Sequence, residues 1–278
     1  MPELAPPAIA TLTIVIVSFN VRDDLDRCLR SIPAAVGDLS TTIVIVDNGS
    51  RDGTGAMLRE RWPQAVLIEL GSNLGFAAAN NVGIRATRGE LVLLLNPDTV
   101  APPGSLARLV RVLREHPEAA AAGPRLVDAA GQPELSFGWP MSPLGELRQK
   151  LLEGLARRGV APVQRALTRS LRTAGPRDWI SGACLLLRRA DLEAAGLLDE
   201  RFFMYTEDVD LGVSLRRRGR SLRFEPAVEV QHLRGRSGGA NPDLERRRRE
   251  SHLAYYRKHH PFWAPVLRWY LRATGRPL

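Results

Sequence analysis

The stretch Leu91-Val92-Leu93-Leu94-Leu95-Asn96-Pro97-Asp98-Thr99 decides how the fold of this chain is predicted. Its unbroken apolar run is too short for a helix and indicates a strand that is buried on both faces. Pro97 cannot donate a ladder hydrogen bond and biases the residue before it away from helix, so the strand ends there. Asp98 therefore follows the carboxyl end of a buried strand, where open α/β sheets bind their ligands.

The carboxylate of Asp98 has two interpretations. Either it forms an Asx-type turn or caps the helix predicted after Pro103, or it binds a hard divalent cation that carries phosphates. The motif alone favours neither. A second acidic turn follows the apolar run Thr42–Val46, at Asp47. Negative side chains at strand ends repel phosphate unless a cation or an arginine lies between them, which favours the cation.

Strands and helices alternate around this stretch. Apolar runs at Thr11–Val17, Thr42–Val46 and Ala65–Leu70 indicate earlier strands, with helical spacing of apolar residues between them. This alternation indicates βαβ units, a mostly parallel sheet and right-handed crossovers. The same patterns predict the later elements: a helix over 105–115, a short strand and turn within 119–127, helices within 140–175, strands over 179–187 and 225–230, and two helices within 241–278.

The composition is typical of a globular protein. Of 278 residues, 44% are hydrophobic and 25% charged, and no apolar run approaches the length of a membrane span. Cys28 and Cys184 lie far apart in apolar segments, which indicates buried free thiols in a reducing compartment and predicts a cytoplasmic protein. The first ten residues do not resemble a secretory signal peptide. No dinucleotide fingerprint, P-loop or zinc-type spacing occurs.

The net charge of +9 comes almost entirely from arginine and has two interpretations: it reflects genome composition, or it serves an anionic partner such as a nucleotide, a membrane surface or a nucleic acid. Phe262–Arg272 interleaves aromatic and basic residues, as helices at anionic membrane interfaces do. Packing of this helix onto the main domain explains the pattern equally well. The arginine run at 246–249 has no helix-turn-helix, RNP or zinc signature near it, so no nucleic-acid partner is predicted.

Acidic residues open one of the later helices. Thr206 is predicted as its N-cap, with Glu207 and Asp208 in the first turn. Carboxylates there complement the helix dipole whether or not they have a function. The preceding Phe202–Tyr205 places them beside an apolar wall, which is typical of clefts that bind organic ligands. His232 follows the last strand and is either a structural residue or a metal ligand.

Taken together, the motifs resemble the family 2 glycosyltransferases, inverting sugar-nucleotide enzymes with the GT-A fold, over roughly 11–232. The segments that carry the resemblance, in family order, are VSFN, VDNGSRDGT, NLGFAAANNVGI, LNPDT, WISGACLLLRR and FFMYTEDVDL. Each is weak alone, whereas the ordered set is specific. The residues of these motifs are most similar to those of the rhamnosyltransferase-like branch, and this resemblance implies dTDP-rhamnose as the donor. The DxD motif of the family is Asn96-Pro97-Asp98 here, with Asn in the first acidic position.

The resemblance implies an α/β fold of the GT-A type, with a Rossmann-like, mostly parallel central sheet flanked by helices and a C-terminal helical extension. The glycosyltransferase domain is expected over 1–235. Its nucleotide-binding half would span about 11–98 and its acceptor half about 99–235. The helical tail would span 236–278.

The resemblance also implies roles for single residues. Asp208 would be the general base, paired with Glu207 at the catalytic centre. Asp98 would coordinate Mg²⁺ or Mn²⁺ bridging the donor diphosphate, with His232 as a further metal or diphosphate contact. Asp47 would accept a hydrogen bond from N3–H of uracil or thymine. The other residues expected to line the nucleotide-sugar site are Ser18, Asn20, Asn48, Asn73, Gly75 and Asn96. The glycine among them is expected to allow close backbone approach.

The implied partners are a dTDP- or UDP-linked sugar donor and a glycan or lipid-linked acceptor in cell-envelope polysaccharide synthesis. The tail is expected to touch the inner membrane face. The alternative is a catalytically silent nucleotide-sugar-binding protein on the same fold. The intact Asp98 and the Glu207–Asp208 pair argue against it.

Overall fold

The structure is a computed structural model that describes residues 11–233 and 242–274. The strands in chain order are β1 (Leu12–Ser18), β2 (Thr41–Asp47), β3 (Val66–Glu69), β4 (Leu91–Leu95), β5 (Thr99–Val100), β6 (Ala119–Val127), β7 (Phe137–Gly138), β8 (Gly175–Arg177), β9 (Trp179–Ile180), β10 (Cys184–Arg188) and β11 (Ser221–His232). The helices are α1 (Arg22–Val36), α2 (Thr54–Arg61), α3 (Phe76–Arg85), α4 (Ser105–Glu115), α5 (Pro143–Arg157), α6 (Ala161–Ser170), α7 (Arg189–Ala194), α8 (Glu207–Arg217), α9 (Pro242–His259) and α10 (Ala264–Ala273). The first ten residues and the expected boundary at 235 lie outside the described residues.

The main sheet has the strand order β3-β2-β1-β4-β10-β6-β11-β5, and β8 pairs with β11 beside it. The strands β3, β2, β1 and β4 are mutually parallel, as the βαβ alternation predicts. β10 enters antiparallel between β4 and β6, while β6 and β11 are parallel. The carboxyl ends of β1, β2, β4, β6 and β11 therefore share one edge with the start of β10. The predicted mostly parallel α/β fold is confirmed.

Helices cover both faces of this sheet. Leu12, Ile14 and Ile16 of β1 pack in one core with α1, α2 and α4. Val15 points the other way, into a second core with α3, α7 and α8. Because both faces are covered, β4 is apolar and buried at every position.

The two tail helices pack onto the main domain through a third core. It joins Phe202 of the loop before α8 and Val209 of α8 to Leu253 and Tyr255 of α9 and Ala264 of α10. The prediction of two tail helices is correct for 242–274. Within the described ranges, no helix has both the length and the apolar character needed to cross a bilayer.

The stretch 179–187, predicted as one strand, is two strands. β9 pairs with β7 in a separate two-stranded sheet, whereas β10 belongs to the main sheet. Both parts are apolar, so periodicity alone does not reveal the break at Ser181–Ala183. The last strand, predicted over 225–230, extends over the whole of β11. A register shift between Glu225 and Glu229 interrupts its pairing with β6.

Candidate active site

Asp98 lies in the turn between β4 and β5. The carbonyl of Asn96 closes this turn by accepting from Thr99 N at 3.2 Å and from Thr99 Oγ1 at 2.7 Å. Thr99 pairs with His232 at the end of β11, which brings the imidazole Nε2 to 3.2 Å from Asp98 Oδ1. The following helix begins at Ser105 without a side-chain cap, so Asp98 does not cap it.

Glu134 holds the other nitrogen of His232, with 3.0 Å between Nδ1 and Oε2. Burial lowers the pKa of His232, but the hydrogen bonds and charges of Asp98 and Glu134 outweigh burial, and the net pKa is raised. The sequence did not point to Glu134. Its position depends on a single bridge between Val127 and Pro133 beyond the end of β6, and no local pattern marks such a bridge.

The atoms around Asp98 fit a divalent cation that is shared with phosphate. Asp98 Oδ1 and His232 Nε2 face each other, and Asn96 Nδ2 lies 3.4 Å from the same imidazole nitrogen. Glu134 lies on the opposite side of the ring, so it orients His232 rather than completing the ligand set. Throughout 11–233 and 242–274, no three His, Cys, Asp or Glu side chains form a metal site by themselves. Two protein donors completed by diphosphate oxygens and water suit Mg²⁺ or Mn²⁺.

The nucleotide side of the site consists of two turns tied together. Ser18 and Asp47 are paired residues at the ends of β1 and β2. Asp47 is buried and accepts from the hydroxyl of Ser50 and, at 3.3 Å, from its amide. Asn20 N donates to Ser50 Oγ at 2.9 Å, and Asn20 Oδ1 accepts from Arg51 N at 2.8 Å. These bonds fix the turn that carries Asp47 against the turn that carries Asn20.

Several predicted nucleotide-site residues bond to one another. Asn48 is buried and its Nδ2 donates to Asn73 Oδ1 at 2.8 Å and to Gly75 O at 3.2 Å. Ser18 is also buried, and its carbonyl accepts from Asn48 N at 2.8 Å. Gly75 has a φ of 89°, and a Cβ there would lie 2.3 Å from Phe203 O. The backbone of Phe203 therefore approaches Gly75 too closely for a side chain. This contact requires glycine at position 75 whether or not a nucleotide also approaches it.

Asp208 lies half-buried in the first turn of α8, and two amides hold its carboxylate. Gly182 N donates to Oδ2 at 3.0 Å and Val209 N donates to Oδ1 at 2.8 Å. Burial raises the pKa of Asp208, and these two amides offset part of the rise. Burial thus opposes the helix N-terminus, which favours the ionised carboxylate. Burial and the negative charge of Asp208 raise the pKa of Glu207 well above its usual range.

Thr206 precedes α8 as predicted, but it does not cap the helix. Its φ is 76°, in the left-handed region, and its side chain makes no capping hydrogen bond. Tyr205 has a φ of 68°. Left-handed residues other than glycine cost about 1–3 kcal/mol each, and they persist only where the surroundings hold them. The segment before Asp208 is therefore held by contacts outside itself.

Asp98 and Asp208 lie at the same edge of the sheet. The carbonyl of Ala183 accepts from Asn96 N at 2.9 Å, and the amide of the preceding residue, Gly182, holds Asp208. Two consecutive residues before β10 thus join the turn of Asp98 to the first turn of α8. The segment Trp179–Ala183 belongs to a motif that the sequence analysis identified. The hydrogen bond from Gly182 to Asp208, however, depends on how β10 enters the sheet.

A model of the family described as glycosyl transferase family 2 matches residues 13–172. The chain is 33% identical to N-acetylglucosaminyl-diphospho-decaprenol L-rhamnosyltransferase of Mycobacterium tuberculosis (strain ATCC 25618 / H37Rv), over 95% of this chain and 90% of that protein.

Two solved structures share the fold. Mannosyltransferase PcManGT from Pyrobaculum calidifontis, in complex with GDP-Man and Mn²⁺, has a TM-score of 0.64 at 20% identity, covering 94% of this chain and 69% of that one. GalNAc-T7 with UDP, GalNAc and Mn²⁺ has a TM-score of 0.60 at 17% identity, covering 89% and 48%. At these identities the likeness concerns the fold, which is that of GT-A glycosyltransferases.

Proposed function

Since this chain belongs to glycosyl transferase family 2, we propose that it is an inverting enzyme that moves a sugar from a nucleotide diphosphate to an acceptor hydroxyl. The proposed donor is dTDP-rhamnose, and the acceptor is N-acetylglucosamine on a polyprenyl diphosphate in cell-envelope synthesis. The mycobacterial relative supports both, because its name states an L-rhamnosyltransferase that acts on such an acceptor. One observation carries the proposal: Asp98 and Asp208 lie at the same edge of the sheet. Hydrogen bonds to the consecutive residues Gly182 and Ala183 link the turn of Asp98 to the first turn of α8.

Asp208 is the proposed general base. Inverting transfer needs one carboxylate that takes the proton of the acceptor hydroxyl while that oxygen attacks the anomeric carbon. The amides of Gly182 and Val209 hold the carboxylate in one orientation. Burial and the charge of Asp208 raise the pKa of Glu207, which favours its neutral form and so opposes a second negative charge beside the base.

Asp98 and His232 are the proposed holders of Mg²⁺ or Mn²⁺ together with the donor diphosphate. The bound ion would neutralise the negative charge that develops as the diphosphate leaves. Glu134 accepts from Nδ1 of His232 and so directs Nε2 toward Asp98. Asp47 is the proposed acceptor for N3–H of the thymine or uracil ring, since a carboxylate retains free lone pairs beside its bonds from Ser50.

A panel of nucleotide sugars tests the donor by thermal unfolding in the presence of Mn²⁺. At a ligand concentration of about 100 times Kd, the native state gains roughly 2.7 kcal/mol. For a chain of this size that gain corresponds to a rise in Tm of about 5–10 °C. We expect the largest rise with dTDP-rhamnose, a smaller one with UDP-sugars and none with GDP-mannose, because the two-ring purine carries its N–H edge farther from the ribose than the pyrimidine N3–H proposed to face Asp47.

The same panel, repeated as a transfer assay with a short polyprenyl-diphosphate acceptor, separates an enzyme from a silent binding protein. Formation of a rhamnosylated product with inverted anomeric configuration is the expected result. A rise in Tm with dTDP-rhamnose but no transfer or donor hydrolysis would identify the silent protein. A larger rise with GDP-mannose than with any pyrimidine sugar would contradict the proposed donor.

We further propose that α5 and α10 lie against the membrane that holds the acceptor lipid. On and just before α10, Phe262 is 92% and Trp269 is 69% exposed. The ammonium of Lys150 on α5 lies 5.4 Å from the ring centroid of Tyr270, so the two helices are neighbours. The exposed leucines of α5 are Leu144, Leu147, Leu151 and Leu155. Residues 143–172 carry seven basic and two acidic side chains, and 257–274 carry four basic and none acidic, which suits anionic lipid.

Flotation with vesicles tests this surface. The wild-type chain is expected to float with vesicles of phosphatidylglycerol and phosphatidylcholine and to remain behind with phosphatidylcholine alone. The double variant Phe262→Ser, Trp269→Ser is expected to lose most of the flotation while it retains turnover of a short-chain acceptor. The control Val66→Ser, an exposed apolar residue on β3, should float like wild type. Equal flotation of the double variant would exclude α10 as the contact.

A further inference from the structure

The loop that leads into the candidate base is held by α9 of the tail. The loop runs from Leu197 to Thr206 and contains three left-handed residues other than glycine, at Leu197, Tyr205 and Thr206. Ser251 of α9 donates its hydroxyl to Met204 O at 2.8 Å. Ser251 is buried, so this bond is made without competition from water.

Two more side chains of α9 hold the ends of the same segment. Lys258 Nζ lies 2.7 Å from Asp199 Oδ2, near the start of the loop, and 2.8 Å from Asp210 Oδ2, in the first turn of α8. His259 Nε2 lies 2.6 Å from Asp210 Oδ1. Both oxygens of the buried Asp210 are thus bound by α9, two residues beyond Asp208.

The His259 imidazole that binds Asp210 is neutral. Burial lowers the pKa of His259, and the positive charges of Arg217 and Lys258 add to this, outweighing Asp210. A carboxylate only accepts hydrogen bonds, so Nε2 carries the proton. Nδ1 has no partner among the residues that the structure describes.

Apolar contacts support the same junction. Tyr255 of α9 belongs to the core that contains Phe202 of the loop and Val209 of α8. The guanidinium of Arg247 lies 3.7 Å from the ring centroid of Phe203. Phe203 O in turn accepts from the first amide of α3, next to Gly75, so the loop is held between α9 and the nucleotide side of the site.

We propose that α9 positions the candidate base: Lys258, His259 and Ser251 hold the loop and the first turn of α8 so that the Asp208 carboxylate meets the Gly182 amide. These are positioning residues, because they touch Asp199, Met204 and Asp210 rather than Asp208 itself. The inference rests on the proposed function. Under this proposal, α9 packs onto the main domain and also holds the candidate base in its orientation.

The test is Lys258→Met, with Ser251→Ala as a milder second variant that removes one neutral hydrogen bond. Displacement of a catalytic group by about 1 Å can cost roughly 100-fold in rate. We expect kcat to fall about tenfold or more for Lys258→Met and severalfold for Ser251→Ala, with KM for donor and acceptor unchanged. The control is Arg246→Met, which removes an exposed cation of the same helix that pairs, among the described residues, only within α9 and should keep the wild-type kcat.

Calorimetric titration with dTDP and Mn²⁺ distinguishes positioning from loss of folded protein. Support requires lower kcat in the variants with one dTDP bound per chain and an unchanged Kd. A kcat equal to wild type in both variants overturns the inference, as does a fall in dTDP stoichiometry that matches the fall in kcat. A wild-type chain that neither transfers sugar nor binds dTDP overturns the proposed function instead.

Discussion

We expect the substitution Asp208→Asn to remove nearly all sugar transfer and to leave donor binding nearly intact. The expected loss in kcat is about 1,000-fold, within the range of roughly 10²–10⁴ that a general base contributes. Asn keeps the shape of the side chain and can still accept from the Gly182 amide, but it cannot take a proton from the acceptor. The measurements are kcat in the transfer assay and the Kd of the donor by calorimetry.

The pH dependence and a neighbouring variant sharpen this prediction. Burial raises the pKa of Asp208, so kcat of the wild type should fall as pH drops through that raised pKa and the base becomes protonated. The raised pKa of Glu207 favours its protonated form, which Gln resembles, so Glu207→Gln should keep kcat within about tenfold. A larger loss in Glu207→Gln than in Asp208→Asn would mean that the roles of the two carboxyls are reversed. Loss of donor binding in Asp208→Asn would also count against the base role.

We expect the substitution Asp98→Ala to remove the metal dependence together with most of the activity. Lewis-acid stabilisation of the leaving diphosphate is worth several kcal/mol, and about 1.4 kcal/mol is a factor of ten in rate, so the expected loss in kcat is roughly 100- to 1,000-fold. Donor affinity in wild type should rise when Mn²⁺ is added, whereas in Asp98→Ala it should be the same with and without Mn²⁺. Rate and binding titrations against Mn²⁺ provide both measurements.

The control for this variant is Asp38→Ala, which removes an exposed carboxylate just before β2, at the opposite edge of the sheet. It should retain both the wild-type rate and the response to Mn²⁺. An Asp98→Ala chain whose activity still rises with Mn²⁺ would place the ion elsewhere. A melting temperature close to that of wild type is required, since Asp98 is also a partner of His232.

The structure also bears on the departure from the DxD motif. Asn96 replaces the first acidic residue, which by itself weakens chelation by two carboxylates. The pairing of Thr99 with His232 brings an imidazole nitrogen to Asp98 in its place. We propose that this imidazole, once deprotonated, would serve with Asp98 as the second protein ligand of the bound ion.

The local pattern of apolar residues was sufficient to predict the parallel half of the sheet. Continuous apolar runs such as Leu91–Leu95 are too short for helices and indicate strands covered on both faces, and Asp47 and Asp98 lie within three residues of the ends of such runs. Apolar spacing over Ser105–Glu115 predicted α4 with its observed bounds. Both signals depend on residues that are neighbours in the chain. The ordered motifs then identified the family, and the family model over 13–172 together with the mycobacterial relative confirmed it.

Other features depend on elements that are distant in the chain. Thr206 has the residue type of an N-cap, yet it adopts a left-handed conformation because α9 and α3 hold its loop. Glu134 reaches His232 across a bridge, and Lys258 reaches Asp210 from the tail. No propensity or periodicity marks such pairs, since neither partner has an unusual neighbourhood in the sequence.

The sequence by itself determined the family, the parallel sheet and the acidic strand ends, because burial on both faces and turn chemistry act within a few residues of each other. Only the tertiary structure decided which side chains meet. The antiparallel entry of β10 put Gly182 against Asp208, and the pairing of β5 with β11 put His232 against Asp98. Both contacts follow from the order of the strands in the sheet, and that order is determined by how whole strands and helices pack together.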